Sequence, residues 1–577
     1  MKKILQIVPI IILLISVGFF IGLTDIKKEN KSAPLFRNPI KTGTVIVNNT
    51  NNISFKKVSL FGTVANRNTS NDFTTKSSTL KLDRSALQSI LASREKSITF
   101  VIPTGDAAPI ELELIEQKVF SDNSSVYKLE GNTKTKVAFT PGLSYTGIVK
   151  GKEHSVASIS IFNDFVMGVI SDETGNYVLG SVKHNNNFTD NYIYYNDNDL
   201  KVLNNFKCAV EGKEEKFSRN ALSNSLNNSN DSHNPSNSSV DARATVKIYF
   251  EADYQMYQDF NSNVNTLTNY IQGMFNSVIM IYNNENIPVQ ISDIGYWSGI
   301  DPYASSRNTE TILTKFGQNT QDGFQGNLAQ LLSTRPDEDI SGGIAWIGTL
   351  CIPYQTDGSG RYSFCVIDPT YNNYPTYSWT VNVVAHELGH NFGSMHTQAC
   401  WWPVGSFGTI GAIDSCYYAE GNCFDDNEVT ENFNGTIMSY CHLNGAINLS
   451  LGFGPLPGDT IYYRYSRAAC LGGVTNSSEL PVVYDLKQNF PNPFNPSTTI
   501  RFLVPEDAIV SLKVYNIAGK EVANLINSSN YVTGFYDVAF NTSLYNLPSG
   551  AYFYKMTASP LNGGNTFVEV KKMMLIK

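Results

Sequence analysis

Over much of residues 33–217 apolar and polar residues alternate, as around Asp164-Phe165-Val166-Met167-Gly168-Val169-Ile170, which predicts strands with one buried face and a largely β N-terminal domain. The pattern stops at Ser218. From there to Ser239 the chain is dense in Asn and Ser and nearly free of large apolar residues, so it cannot bury enough surface to fold. Residues 218–241 are therefore expected to be a linker open to proteolysis. Periodicity resumes with a strand pattern at Ala244–Phe250, then a helical one at Val264–Tyr282 in which Leu267, Ile271 and Phe275 share a face; together they open a mixed α/β domain. Gly343–Leu350 reads as a candidate edge strand, and the apolar run Trp379–Ala385 suits a buried helix. After a second linker, 474–485, the positions Val510, Leu512 and Val514 alternate along a strand. Ala518-Gly519 then marks a turn and Leu547–Tyr554 starts another strand, so 486–577 is expected to be a small β-sandwich.

At the N-terminus, Lys2 and Lys3 precede an apolar stretch from Ile4 to Leu23, which reads as a signal peptide over 1–24. The stretch is also long enough for an uncleaved anchor. A length of 577 residues suggests three or four domains, and a net charge of −8 without a basic stripe argues against a nucleic-acid partner. Of the eight cysteines, seven (Cys351, Cys365, Cys400, Cys416, Cys423, Cys441, Cys470) lie between 351 and 470, and only Cys208 lies outside that segment. Such usage points to an oxidising compartment, with six of the seven in disulfides of undetermined connectivity.

The chemistry lies in His386-Glu387-Leu388-Gly389-His390-Asn391-Phe392-Gly393-Ser394-Met395-His396. His386 and His390 are four apart on a helix and share a face, so both can grip one metal ion. Glu387 is rotated away from that pair, where it can act on a metal-bound water as general base. Gly393 tolerates positive φ, which lets the chain turn back and deliver His396 as third ligand. Three protein ligands leave a position open for water, the mark of a catalytic zinc site rather than a closed structural one. Five fixed positions at about 1/20 each give on the order of 10⁻⁴ chance matches in a chain this long.

Together with Gly435-Thr436-Ile437-Met438-Ser439-Tyr440, the motif resembles the zinc helix and Met-turn of the metzincin metalloproteases. The resemblance implies zinc on His386, His390 and His396, catalysis by Glu387, a Met438 floor, and a Tyr440 hydroxyl beside the oxyanion. Asn448–Gly458 is similar to bacterial reprolysin-like members, although Thr397 stands where adamalysins carry Asp. The edge strand would then align substrate by strand addition. Phe139–Gly180 weakly resembles reprolysin propeptides, and Leu486–Phe502 is similar to the opening of C-terminal sorting domains of type IX secretion cargo.

The expected architecture is multidomain. An α/β metzincin-like catalytic domain at 242–473 follows a largely β prodomain at 33–217 and precedes a small Ig-like β-sandwich at 486–577. The expected activity is a secreted zinc endopeptidase, monomeric, acting on proteins or peptides and engaging outer-membrane secretion machinery. The rival is a silent adhesion protein on the same scaffold, against which the intact Glu387 speaks. Asp425, Asp426, Glu428 and Glu431 crowd one loop and would suit Ca²⁺, but without EF-hand spacing no ligand set is drawn from them. Two roles stay open for Cys208: a disulfide to a catalytic-domain cysteine, giving four bridges from eight cysteines, or a thiolate in the fourth zinc position that keeps the precursor latent.

Overall fold

The computed structural model describes residues 53–576 except 64–71, 105–107, 203–205, 211–243, 336–341, 368–372, 403, 405–410, 425–428, 430–433, 444, 472–483, 490–491, 506–507, 532–533, 543–544, 546 and 562. The signal segment, the 218–241 linker, nearly all of the second linker, and Asp425, Asp426, Glu428 and Glu431 thus lie outside the described residues. Among the described residues no helix is long and apolar enough to cross a membrane.

The N-terminal region is largely β, as expected. Its main element is a ten-stranded sheet drawn from strands between Lys56 and Asn196 and paired mostly antiparallel. One face closes over Leu80, Phe100, Ile159 and Tyr192 together with the helix Arg84–Ser93, whose N-cap Asp83 accepts from the amides of Ser85 and Ala86. The strand Val166–Asp172 is buried along its whole length, not on alternate residues. The reason is tertiary: the second face of the sheet is covered by the long helix that follows the linker.

That helix, α1 (Val264–Asn284), is capped by Asn263 and runs slightly past the predicted span. Its burial is not confined to the face of Leu267, Ile271 and Phe275, since Thr268, Gln272, Asn276 and Ser277 are buried as well. Its polar side chains reach N-terminal strands instead of water: Gln272 Nε2 donates to Gly142 O at 3.0 Å, Asn276 Nδ2 donates to Tyr145 O at 3.0 Å, and the Ser277 and Ser158 hydroxyls lie 2.7 Å apart. Buried polar groups are tolerated when paired in this way. One continuous core therefore spans Val169 and Val178 of the N-terminal sheet and Ile271, Met274 and Val278 of α1.

A second sheet crosses the sequence boundary too. Its strands are β1 (Phe120–Glu130), β2 (Thr133–Val137), β3 (Val246–Ala252), β4 (Val289–Trp297), β5 (Leu328–Ser333), β6 (Gly343–Ala345) and β7 (Tyr362–Val366). They lie in the order β6-β7-β5-β3-β4-β1-β2. The hairpin β1–β2 leaves the N-terminal region and extends the sheet of the α/β region, with β1 parallel to β4 and Asp293 Oδ1 accepting from Ser125 N at 2.7 Å. At the opposite end β6 is an edge strand, antiparallel to β7, and shorter than the segment predicted from Gly343–Leu350. The C-terminal region pairs a four-stranded with a three-stranded antiparallel sheet over Phe502, Leu512, Tyr554 and Met573, with Val510, Leu512 and Val514 facing inward.

Candidate active site

Helix α2 (Tyr377–Asn391) carries the first two histidines and is buried along nearly all of its length. It ends where the motif predicts, with Gly393 at φ 100°. Gly389 has a packing role: a Cβ there would lie 2.7 Å from Met438 Sδ, so its absence lets the methionine sit directly under the helix. The last turn is tied to the segment after β6, since Asn391 Nδ2 donates to Trp346 O at 2.9 Å and Gly348 N donates to His390 O at 2.8 Å.

The turn after α2 brings His396 back to the pair. His396 Nε2 lies 3.1 Å from Nε2 of both His386 and His390, and all three rings are fully buried. Each ring is fixed through its other nitrogen, His386 Nδ1 at 2.8 Å from Ile437 O, His390 Nδ1 at 2.8 Å from Ser394 O, and His396 Nδ1 at 2.7 Å from Glu420 Oε1. Such partners turn the free nitrogens inward and set the tautomer, as at metal-binding histidines. Burial lowers the pKa of His386 and His390 well below the ordinary range and favours the neutral, ligating form. Three convergent ring nitrogens fit a divalent transition metal. Glu387 borders them, and burial raises its carboxyl well above the usual value.

The structure also brings Tyr440 and Cys208 to this point. Cys208 Sγ lies 3.5 Å from His390 Nε2 and 3.5 Å from Glu387 Oε2. Its ligand atom and those of His386, His390 and His396 lie within 4.8 Å of one another. Residues 206–210 thread the cleft: Cys208 pairs with Gly343 of β6 in a parallel bridge, Ala209 N donates to Gly343 O at 2.8 Å, and His442 Nε2 stands 2.7 Å from Phe206 O.

Of the two roles left open for Cys208, the disulfide is not formed. The bridges are Cys351–Cys470, Cys400–Cys423 and Cys416–Cys441, while Cys208 and Cys365 are free and buried. The fold holds Cys208 at the histidines and away from the bridged cysteines. Burial pushes its thiol up, and a metal ion on the histidines is the charge that would reverse that shift. Two residues were missed in the sequence. Glu420, which orients His396, lies far along the chain in a disulfide-closed loop, and His442 follows Tyr440 with no spacing of its own.

Residues 242–449 match the reprolysin model of metallo-peptidase family M12, and residues 488–573 match the secretion system C-terminal sorting domain. Among solved structures, metalloproteinase-II from Bacteroides fragilis aligns at 12% identity over 55% of this chain and 86% of that chain, with a TM-score of 0.29. OgpA from Akkermansia muciniphila aligns at 12% identity over 58% and 92%, with a TM-score of 0.24. Archaemetzincin from Methanopyrus kandleri aligns at 18% identity over 26% and 76%, with a TM-score of 0.18. Likenesses this distant bear on neither the reaction nor the detail of the fold.

Proposed function

Since the chain carries a reprolysin-like metallopeptidase domain of family M12 and a C-terminal sorting domain that marks it for export to the cell surface or beyond, we propose that it is a zinc endopeptidase made as a latent precursor. The observation that carries this reading is the convergence of the Nε2 atoms of His386 and His390, each 3.1 Å from His396 Nε2, beside a buried carboxyl group. In the proposal His386, His390 and His396 hold the metal. Zinc there supplies Lewis acidity, polarising the scissile carbonyl and making water nucleophilic at neutral pH.

Glu387 takes the proton from the attacking water at a carboxylate oxygen and passes it to the departing amine. Tyr440 donates its hydroxyl to the oxyanion of the tetrahedral intermediate. Substrates are proteins or peptides, laid as an added strand against β6. The functional units are a prodomain at 33–217, a catalytic domain at 242–473 and an Ig-like sorting domain at 486–577 that engages the outer-membrane secretion machinery. Residues 206–210 hold the precursor silent: Cys208 Sγ, 3.5 Å from His390 Nε2, would be a fourth ligand to a metal on the histidines, and its backbone takes the place on β6 that substrate needs.

The test is proteolysis by the processed chain with and without a chelator. Chelator-sensitive cleavage, restored by zinc and lost in Glu387→Gln, is expected. Cleavage that survives both treatments refutes the assignment.

A further inference from the structure

Gly343 of β6 stands between two cysteines in the sheet register: it is paired with Cys365 on β7 and bridged to Cys208. Cross-strand partners share a face. Here that face looks onto α2, since Cys365 Sγ lies 3.8 Å from Val383 O and Cys208 Sγ 3.5 Å from Glu387 Oε2. The row presents a thiol, a gap and a thiol to the helix, and Glu387 fills the gap. A Cβ built on Gly343 would fall 2.5 Å from Glu387 Cγ and 2.7 Å from Cδ, well inside the separation of about 3.5–4.0 Å at which carbon atoms rest. The backbone makes no demand for glycine here, because Gly343 lies in a strand and lacks the positive φ of Gly342. Hydrogen bonds do not fix the carboxyl group either. Oε1 is buried with no hydrogen-bond partner among the described residues, and Oε2 meets Cys208, which leaves with the segment 206–210.

We propose that Gly343 is a positioning residue for the reaction, its missing side chain forming the seat that sets where Glu387 holds its carboxyl group beside the three histidines. The inference rests on the peptidase reading above. The seat remains when residues 206–210 depart, since β6 stays paired with β7 and the segment after it stays tied to α2 through Trp346 O and Asn391. A proton shuttle must keep its oxygen within hydrogen-bond reach of the groups it serves, and a misplacement of about 1 Å can cost about 10²-fold in rate. In Gly343→Ala the atoms that must yield belong to a side chain and not to backbone. The histidines are held from other directions, through Ile437, Ser394 and Glu420. The metal ligands therefore stay while the base moves.

The experiment compares the wild type, Gly343→Ala, Glu387→Gln and the double variant, each made as the full chain and processed by proteolysis until the N-terminal region is released. Gly343→Ala is expected to keep one zinc per chain and a KM within about twofold of the wild type, while kcat falls about tenfold to a hundredfold. Added to Glu387→Gln it should lower kcat no further, because groups that act as a unit are not additive. A second measurement needs neither metal nor turnover: the thermal midpoint of the uncut, zinc-free chain. Gly343→Ala should lower that midpoint in the wild type but not in the Glu387→Ala background, where the vacated space takes the new Cβ. Full kcat in Gly343→Ala, an effect confined to KM, loss of zinc, an undiminished further loss in the double variant, or an equal fall in midpoint in both backgrounds overturns the seat and leaves the peptidase standing. No chelator-sensitive cutting by the processed wild type overturns the peptidase reading and the seat's part in it.

Discussion

The Tyr440 hydroxyl accepts from Cys208 N at 2.8 Å and donates to Cys208 O at 3.0 Å, so a single side chain grips both backbone groups of the residue facing the histidines. The hydroxyl proposed to meet a substrate oxyanion is occupied by the chain's own precursor segment. Latency and catalysis therefore compete for the same atom.

Thiol and backbone contribute separately to that latency. The uncut Cys208→Ser precursor is expected to cleave a peptide substrate faster than the uncut wild type, yet more slowly than the processed enzyme. The hydrogen bonds to Tyr440, Gly343 and His442 survive the substitution. Equal rates for the two precursors would exclude the thiol. Full activity of the variant would exclude the backbone.

Replacing Glu387 by Gln should keep metal content at one zinc per chain while lowering kcat by about 10² to 10⁴, the range of general-base contributions. His390→Ala should lose the metal as well. Metal analysis beside turnover numbers separates the two effects, and near-normal turnover in Glu387→Gln would rule out its role as base.

A cut in the linker should not by itself separate the halves. Hairpin β1–β2 stays paired to β4, and the core shared with α1 persists. Size-exclusion chromatography of the nicked protein is expected to show co-elution, with separation only in denaturant or after further digestion. Immediate separation in plain buffer would contradict the composite sheet.

Asp197 is a carboxyl at this interface whose titration should be felt. Burial raises Asp197 from 3.8 to about 6, while the hydrogen bond from Asn176 Nδ2 at 2.9 Å opposes the shift. Because the docked value is the higher one, its contribution to docking is complete below about pH 3.8 and is lost as pH rises through 6. The nicked complex should loosen between pH 4 and pH 7 by at most about a hundredfold. Asp197→Asn should flatten that profile, as measured by dissociation constants across the range.

What the sequence made legible was local. The three histidines and Glu387 lie within eleven residues, so one helix and the turn at Gly393 bring them together; the strand of Val510, Leu512 and Val514 was equally plain. What escaped depended on partners remote in sequence. Nothing near Gln272 and Asn276 in the sequence announces a sheet overhead, and Cys208 could be assigned neither a sulfur nor a metal partner from its neighbours. Glu420 carries no mark of the imidazole it orients.

The borrowed hairpin has a consequence for biosynthesis. Strand β4 is buried at nearly every residue while β1 covers its edge, and β1 emerges from the ribosome long before β4. The N-terminal region can thus act as a folding template, presenting a formed edge on which the later sheet nucleates, where non-local parallel pairing would otherwise be slow. Expressed without residues 33–217, the α/β region would have to fold with β4 as an uncovered apolar edge. Such an edge invites chain-to-chain pairing, and inclusion bodies are the expected product.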